Sequence, residues 1–320
     1  RVAAASPHGF HARGLHATQI AGTLAAAAVA ARLAGLDAAT TTNALGIAGS
    51  SAGGLLEFLT TGASTKQLHP GSAAMNGIIA ARLAAAGASG PATVLEGPHG
   101  IYAALSAREA DPQSVVEGLG TRWETTHITI KAYPSCQLMH STLDAVRAAP
   151  AVPVEEIAEV VAQVHPDSAA VVSEPVERKV APRTPYDAKF SLPWSVAALL
   201  VDGSIGAASY SPESIARPQL RELAARVRTV RHYGDGVAAD APGQVEIVRR
   251  DGSSVTGQVA RSVGGPELPL SQSDLLAKFT GNAGPGYGAL ADAVLALGMD
   301  PQVNARTLSA ATTSSMRSNA

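Results

Sequence analysis

The chain has 320 residues, enough for two ordinary domains or one large one with a substantial core. Hydrophobic residues make up 46% but aromatics only 4%, so the core has to be assembled from Ala, Val, Leu and Ile, with small side chains allowing close helix packing. A net charge of −2 without long basic or acidic blocks argues against nucleic acid or an anionic membrane as main partner; one cysteine excludes an intramolecular disulfide and the Cys set of an iron–sulfur cluster or structural zinc site.

A reducing, cytoplasmic setting is expected, and no signal-peptide pattern is visible. The run from Ala21 to Ala34 lacks the bulk of a membrane span and is interrupted by Arg32, so an internal core helix is expected there. The chain opens on Arg1 with no clear starting element, which reads as a cut and predicts a fragment of a longer protein.

In chain order, His16 to Gly35 predicts an Ala-rich buried helix ended by Gly35. Asp37 is placed to cap a second helix running through Ala44, Leu45 and Ile47 into the Gly49–Gly54 stretch. Residues 60–71 predict a polar loop, after which Ser72 caps a third helix to Ala86. Shorter helices are expected over 100–107 and 111–119.

From Ile128 the pattern changes. Ile157–Val164 and Gln244–Val248 alternate apolar residues with β-branched bias, as half-buried strands do. The Asp251–Gly252 pair predicts a hairpin turn between 244–249 and 254–260. Helices are expected at 141–149, 193–202 and 218–227, then again from Ser271, a capping residue, and over 290–297. The tail from Thr312 reads as frayed. Helical, mixed, then helical segments in this order predict a mixed domain inserted into a helical one, with the active cleft at their junction.

Three loops carry polar residues without an obvious structural duty. In the first, His8-Gly-Phe-His11…His16, the last histidine abuts a helix start, where partial positive charge favours an anion and lowers an imidazole pKa. In the second, Thr65-Lys66-Gln-Leu-His69 precedes a helix; a lysine with free backbone N–H groups is a natural carboxylate site. The third, Lys131-Ala-Tyr-Pro-Ser135-Cys-Gln-Leu-Met-His140, lies where the composition changes. Each has a plainer alternative. A histidine at a helix start also caps or packs, and Lys66 also suits a solvated loop. Tyr133 and Cys136 are expected to pack, His8 and His11 to lie in a frayed end, and His99, His127, His165 and His232 to be structural or superficial.

No His/Cys/Asp/Glu cluster has metal-ligand spacing, and neither a dinucleotide-binding glycine motif nor a P-loop is present. The Ser50–Ser51 glycine-rich stretch lacks the Gly-x-Ser-x-Gly of a nucleophile turn. Histidines and lysine on separate loops best suit proton abstraction next to a carboxylate.

Taken together, Gly14–Ala28, Asn43–Gly54, Thr65–Ala74, Gly90–Gly97, Lys131–His140 and Ala188–Ala197 resemble, in order, the MmgE/PrpD family of 2-methylcitrate dehydratases and cis-aconitate decarboxylases. The resemblance implies a mainly α fold: a large all-α domain built from N- and C-terminal parts, with an inserted α+β lid. On that basis residues 1–130 are the truncated N-terminal part of the helical domain, 131–270 the lid, entered through the Lys131–His140 loop as a strand, and 271–320 the returning C-terminal helices. It implies catalytic roles for His16, Lys66 and His140, and substrate-binding roles for His69, Lys131, Ser135 and Lys189. A family Asp/His motif would lie upstream of Arg1, and a lid tyrosine of some members has no clear match; Val176 aligns there, with Tyr186 nearby.

The expected function is a cofactor-independent lyase, dehydratase or decarboxylase, acting on a small di- or tricarboxylate such as 2-methylcitrate or cis-aconitate. The expected partners are that substrate and a second copy in a homodimer, with no metal, membrane or nucleic acid. Alternatives are an epimerase or isomerase of an amino- or imino-dicarboxylate on the same fold, or an inactive paralogue.

Overall fold

Alanine and glycine set the packing of the N-terminal helices. Three of them, Ala17–Leu33, Ala38–Gly49 and His69–Ala85, pack on one another through Ala27, Ala31, Ala44, Ala48, Ala73, Ala80, Ala81 and Ala84, all buried. A Cβ on Gly77 would stand 2.5 Å from Ala27 N and 2.7 Å from the Thr23 carbonyl, so only glycine lets these backbones approach so closely. Larger side chains enter at one end, where Phe10 and Tyr102 stack with centroids 6.1 Å apart beside Ile20 and Leu24.

The computed structural model describes residues 1–232, 238–284, 287–297 and 312. They divide into two units, residues 1–125 and 126–320. The expected frayed tail lies outside the described residues apart from Thr312. These described residues are mostly helical, with one small mixed sheet among them.

Contacts between the Ala17–Leu33 and His69–Ala85 helices fix their direction. His16 meets His69, Gly22 faces Ala73, and Gly77 faces Ala26 and Ala27, so both sequences advance together. The two helices run parallel and start side by side. Asp37 caps the second helix as expected, accepting the Thr40 N–H at 2.8 Å. The helix expected from Ser72 begins instead at His69, because Pro70 fits the first helical turn, where its missing N–H costs nothing. The supposed polar loop before it contains a helical turn, Phe58–Thr61, and a 3₁₀ turn, Ser64–Gln67. The helix expected over 111–119 is only Gln113–Val116, since Gly118 turns to a φ of +61°.

Among the described residues of the second unit four strands form a sheet: β1 (Ile157–Val164), β2 (Val227–Arg231), β3 (Gly243–Arg249) and β4 (Ser254–Val259), ordered β2-β1-β3-β4. β1 pairs parallel with β2 and antiparallel with β3, and β3–β4 is the hairpin predicted from Asp251–Gly252, with Gly252 at φ +88°. A register irregularity between Ile157 and Glu159 lets both Ile157 and Val160 face the core. The helix expected to run to Val227 stops at Ala224, and Val227 opens β2.

The His140–Ala148 helix lies across β3 and β4, burying Leu143, Ala145 and Val146 against Val245 and Ile247. A Cβ on Gly243 would collide with the Ser141 carbonyl, and one on Gly257 with the Ala145 carbonyl. These two glycines let the helix backbone rest directly on the hairpin. Behind it packs the Leu192–Asp202 helix, capped by Ser191, whose hydroxyl accepts the Trp194 N–H at 3.0 Å. The Lys131–His140 stretch is not the expected entry strand. It is irregular chain ending in a 3₁₀ turn, Gln137–Met139, consistent with Pro134 in its middle. A capping box at Ser271 and Asp274 opens the Gln272–Ala283 helix, and Gly288–Ala296 follows.

Candidate active site

In the first unit His16 is the N-cap residue of the Ala17–Leu33 helix, its carbonyl accepting the Gln19 N–H at 3.0 Å. A short antiparallel bridge fixes the approach: His16 N–H donates to the Gly54 carbonyl at 2.8 Å and Leu56 N–H to the Gly14 carbonyl at 2.8 Å. His69 is the first residue of its own helix. Both side chains are buried, and their Nδ1 atoms lie 2.8 Å apart in a hydrogen bond. Phe58 presents T-shaped contacts to both rings, each with centroids 5.9 Å away.

Lys66 stands on the Ser64–Gln67 turn with its ammonium 5.9 Å from the Phe58 ring centroid. His11, expected in a frayed end, instead sits on a helical turn, Gly9–Ala12, and stacks on His16 with centroids 6.4 Å apart. Burial first, then the Lys66 charge and the neighbouring His69 and His11, hold the His16 pKa down at about 4. Burial and Lys66 also lower His69; burial, His8 and Lys66 lower His11. Neutral imidazoles thus face an ammonium at the positive ends of two parallel helices. Such an arrangement suits an anion and proton exchange with it.

In the second unit His140 is the first residue of its helix and is wholly buried. Tyr133 packs edge-on against it with centroids 5.1 Å apart and donates its hydroxyl proton to Asp144 Oδ1 at 2.5 Å. Asp144 Oδ2 accepts the Val263 N–H at 2.9 Å. Tyr133 is therefore a hydrogen-bonded tie, more than the packing residue expected. Lys131 Nζ donates to the Ser135 carbonyl at 2.8 Å, and the Ser135 side chain is buried.

Burial and then the Lys131 charge push the His140 pKa down to about 4, with Lys278 adding to the fall. The nearby Ser135 and Tyr133 backbone offsets part of this, although neither ring nitrogen makes a well-formed hydrogen bond among the described residues. Lys189 is half-buried, and its carbonyl accepts the Cys136 N–H at 2.9 Å. Lys179, which nothing in the sequence singles out, is half-buried and its ammonium donates to the Val171 and Phe190 carbonyls at 2.6 and 2.8 Å. Burial lowers its pKa to about 8. His99, His127 and His232 are exposed, and His165 caps the Pro166–Val172 helix.

The structure thus brings His16, Lys66 and His69 together in one unit, and Lys131, Ser135 and His140 in the other. Among the described residues no group of three or more His, Cys, Asp or Glu could hold a metal ion, and no helix is long and apolar enough to cross a membrane.

Comparison with known proteins matches residues 1–113 to the MmgE/PrpD N-terminal domain and residues 133–298 to the MmgE/PrpD C-terminal domain. The chain belongs to the MmgE/PrpD family. It is 28% identical over 278 residues to cis-aconitate decarboxylase of Mus musculus, covering 84% of this chain and 55% of the relative. It is 31% identical over 291 residues to cis-aconitate decarboxylase of Aspergillus terreus, covering 85% and 58%. The chain spans just over half the length of these curated relatives. The MmgE/PrpD N-terminal match includes His16, Lys66 and His69, and the C-terminal match includes Ser135, His140 and Lys189, with Lys131 just before it.

Proposed function

We propose that the chain is the greater part of a lyase acting on a small di- or tricarboxylate, with cis-aconitate the first substrate to test. One observation carries this: the His16–His69 hydrogen bond beside Lys66, at the starts of two parallel helices. The names of the chain's relatives point to the same class of reaction.

Lys66 and the free N–H groups of the helix starts bind a substrate carboxylate and stabilise the negative charge that develops beside it. In a dehydration, an imidazole removes the proton next to that carboxylate and an acid protonates the departing hydroxyl. In a decarboxylation, the bonding pair left by CO₂ stays on the substrate, and an imidazolium supplies the proton. His16 is suited to either task, being neutral at pH 7 and able to take up a proton once an anion binds beside it. His140 is the second proposed proton-transfer residue. Because its ring is wholly enclosed, the Lys131–Ser135 segment beside it has to shift for the imidazole to meet substrate. Ser135, Lys131 and Lys189 are proposed as substrate-binding residues, and the domain assignment with returning C-terminal helices and a homodimer belongs to the same proposal. The chemistry is proposed to run on side chains alone.

The test is incubation with cis-aconitate, 2-methylcitrate and related acids, followed by proton NMR. Lys66→Ala or His16→Gln is expected to lower turnover roughly 10²–10⁴-fold. Unchanged turnover in either variant would remove these roles. Deuterium incorporation without net product would favour epimerisation instead.

A further inference from the structure

We propose that His69 is a positioning residue: it accepts a hydrogen bond from His16 Nδ1–H and holds His16 in the tautomer whose Nε2 is bare. This deepens the function above and rests on it only for the role of His16 in turnover.

The geometry restricts the possibilities. A neutral imidazole carries one N–H, and two Nδ1 atoms 2.8 Å apart need one proton between them. Two protons there would repel, and two lone pairs would do the same. One ring of the neutral pair is therefore protonated at Nδ1 and the other at Nε2, so the pair offers one bare and one protonated Nε2 edge. Phe58 contacts both rings, and His11 stacks on His16 with only 15° between planes, which opposes rotation of the His16 ring.

The direction follows from the surroundings. The charged and titratable groups that face the pair are Lys66, His11 and, behind it, His8. His11 stacks on His16 with His8 behind it, whereas the ring contacts of His69 among the described residues are His16 and Phe58. A proton on His16 is therefore opposed by an extra basic ring, which makes His69 the better acceptor. His16 Nδ1–H then points at His69 Nδ1, and His16 Nε2 is left with a lone pair. When that lone pair takes a proton from carbon, the C–H bonding pair stays on the substrate. His16 becomes imidazolium, still hydrogen-bonded to neutral His69. The same Nε2–H edge gives the proton back where a carbanion has to be quenched.

The tautomers are read directly by ¹⁵N NMR of the histidine-labelled chain at neutral pH without substrate, with His16→Gln and His69→Leu assigning the signals. The expected result is protonated Nδ1 and bare Nε2 for His16, the reverse for His69, and a scalar coupling between the two Nδ1 nuclei. Protonated Nε2 and bare Nδ1 on His16 would overturn the proposal. In cis-aconitate turnover, His69→Leu is expected to lower kcat by about 10²-fold or more with KM little changed. His69→Asn, whose amide oxygen can accept in place of Nδ1, is expected to recover most of that loss. A raised KM with unchanged kcat would make His69 a binding residue and also overturn it. If wild type turns over no polycarboxylate, the proposed lyase function fails, while the NMR result still decides the tautomer.

Discussion

His140 makes the second unit sensitive to acid, and the size of the effect follows from its burial. The ring is fully enclosed beneath Tyr133, with the Lys131 and Lys278 charges also opposing protonation, and its pKa falls from 6.5 to about 4. A proton therefore goes preferentially to the unfolded chain. The stability from this source is complete above about pH 6.5, declines as the pH falls, and is gone below about 4. Between about pH 7 and about pH 4.5 this one residue removes about 2 kcal/mol of unfolding free energy. His140→Leu keeps a similar volume and cannot titrate, so the variant should lose about 2 kcal/mol less than wild type over that interval. The assay is urea unfolding followed by tryptophan fluorescence in a Trp123→Phe background. Trp194, fully buried in the same unit, is then the sole reporter, while Trp123 is 63% exposed and replaceable. Parallel pH dependences for wild type and variant would show that His140 is not buried in the neutral form, and the reasoning would fail.

Two further outcomes concern how His140 is held. Tyr133→Phe removes the hydroxyl that donates to Asp144 and leaves that carboxylate oxygen short of a partner, with an expected cost of about 1–3 kcal/mol, measured in the same unfolding assay. Gly257→Val drives a side chain into the Ala145 carbonyl; it should lower Tm by calorimetry and cost about 1–3 kcal/mol or more, whereas an exposed Ala→Ser elsewhere should leave Tm unchanged.

Local signals in the sequence were readable where a feature needs only neighbouring residues. Asp37 and Ser271 announce their helices because a cap needs only the next three positions, and the Asp251–Gly252 turn fixes the β3–β4 register by itself. β2 was not readable. Its sequence, Val-Arg-Thr-Val-Arg, buries only Val227 and becomes a strand by pairing with β1, far earlier in the chain. The helix expected from Ser72 starts three residues earlier, at His69, since proline breaks a helix only beyond the first turn and Pro70 lies within it.

The candidate site divides in the same way. Each of His16, Lys66 and His140 stands out beside a helix start, which a single sequence can show. The His16–His69 hydrogen bond joins residues 53 apart with no intervening periodicity, and only the parallel packing of two helices brings them together. His11 looked like part of a loose end, since stacking on another histidine leaves no mark in the sequence. Tyr133 and Asp144 are 11 apart and span loop and helix, so their bond was likewise hidden.

The contact of the His140–Ala148 helix with Gly243 and Gly257 also bears on how the protein reaches its native state. The helix can form locally, and the hairpin can close locally, but seating one on the other joins segments about a hundred residues apart and has to await a large loop closure. The imidazole at the helix start is therefore placed late in folding. A glycine replacement there acts after that closure, so it should speed unfolding more than it slows refolding.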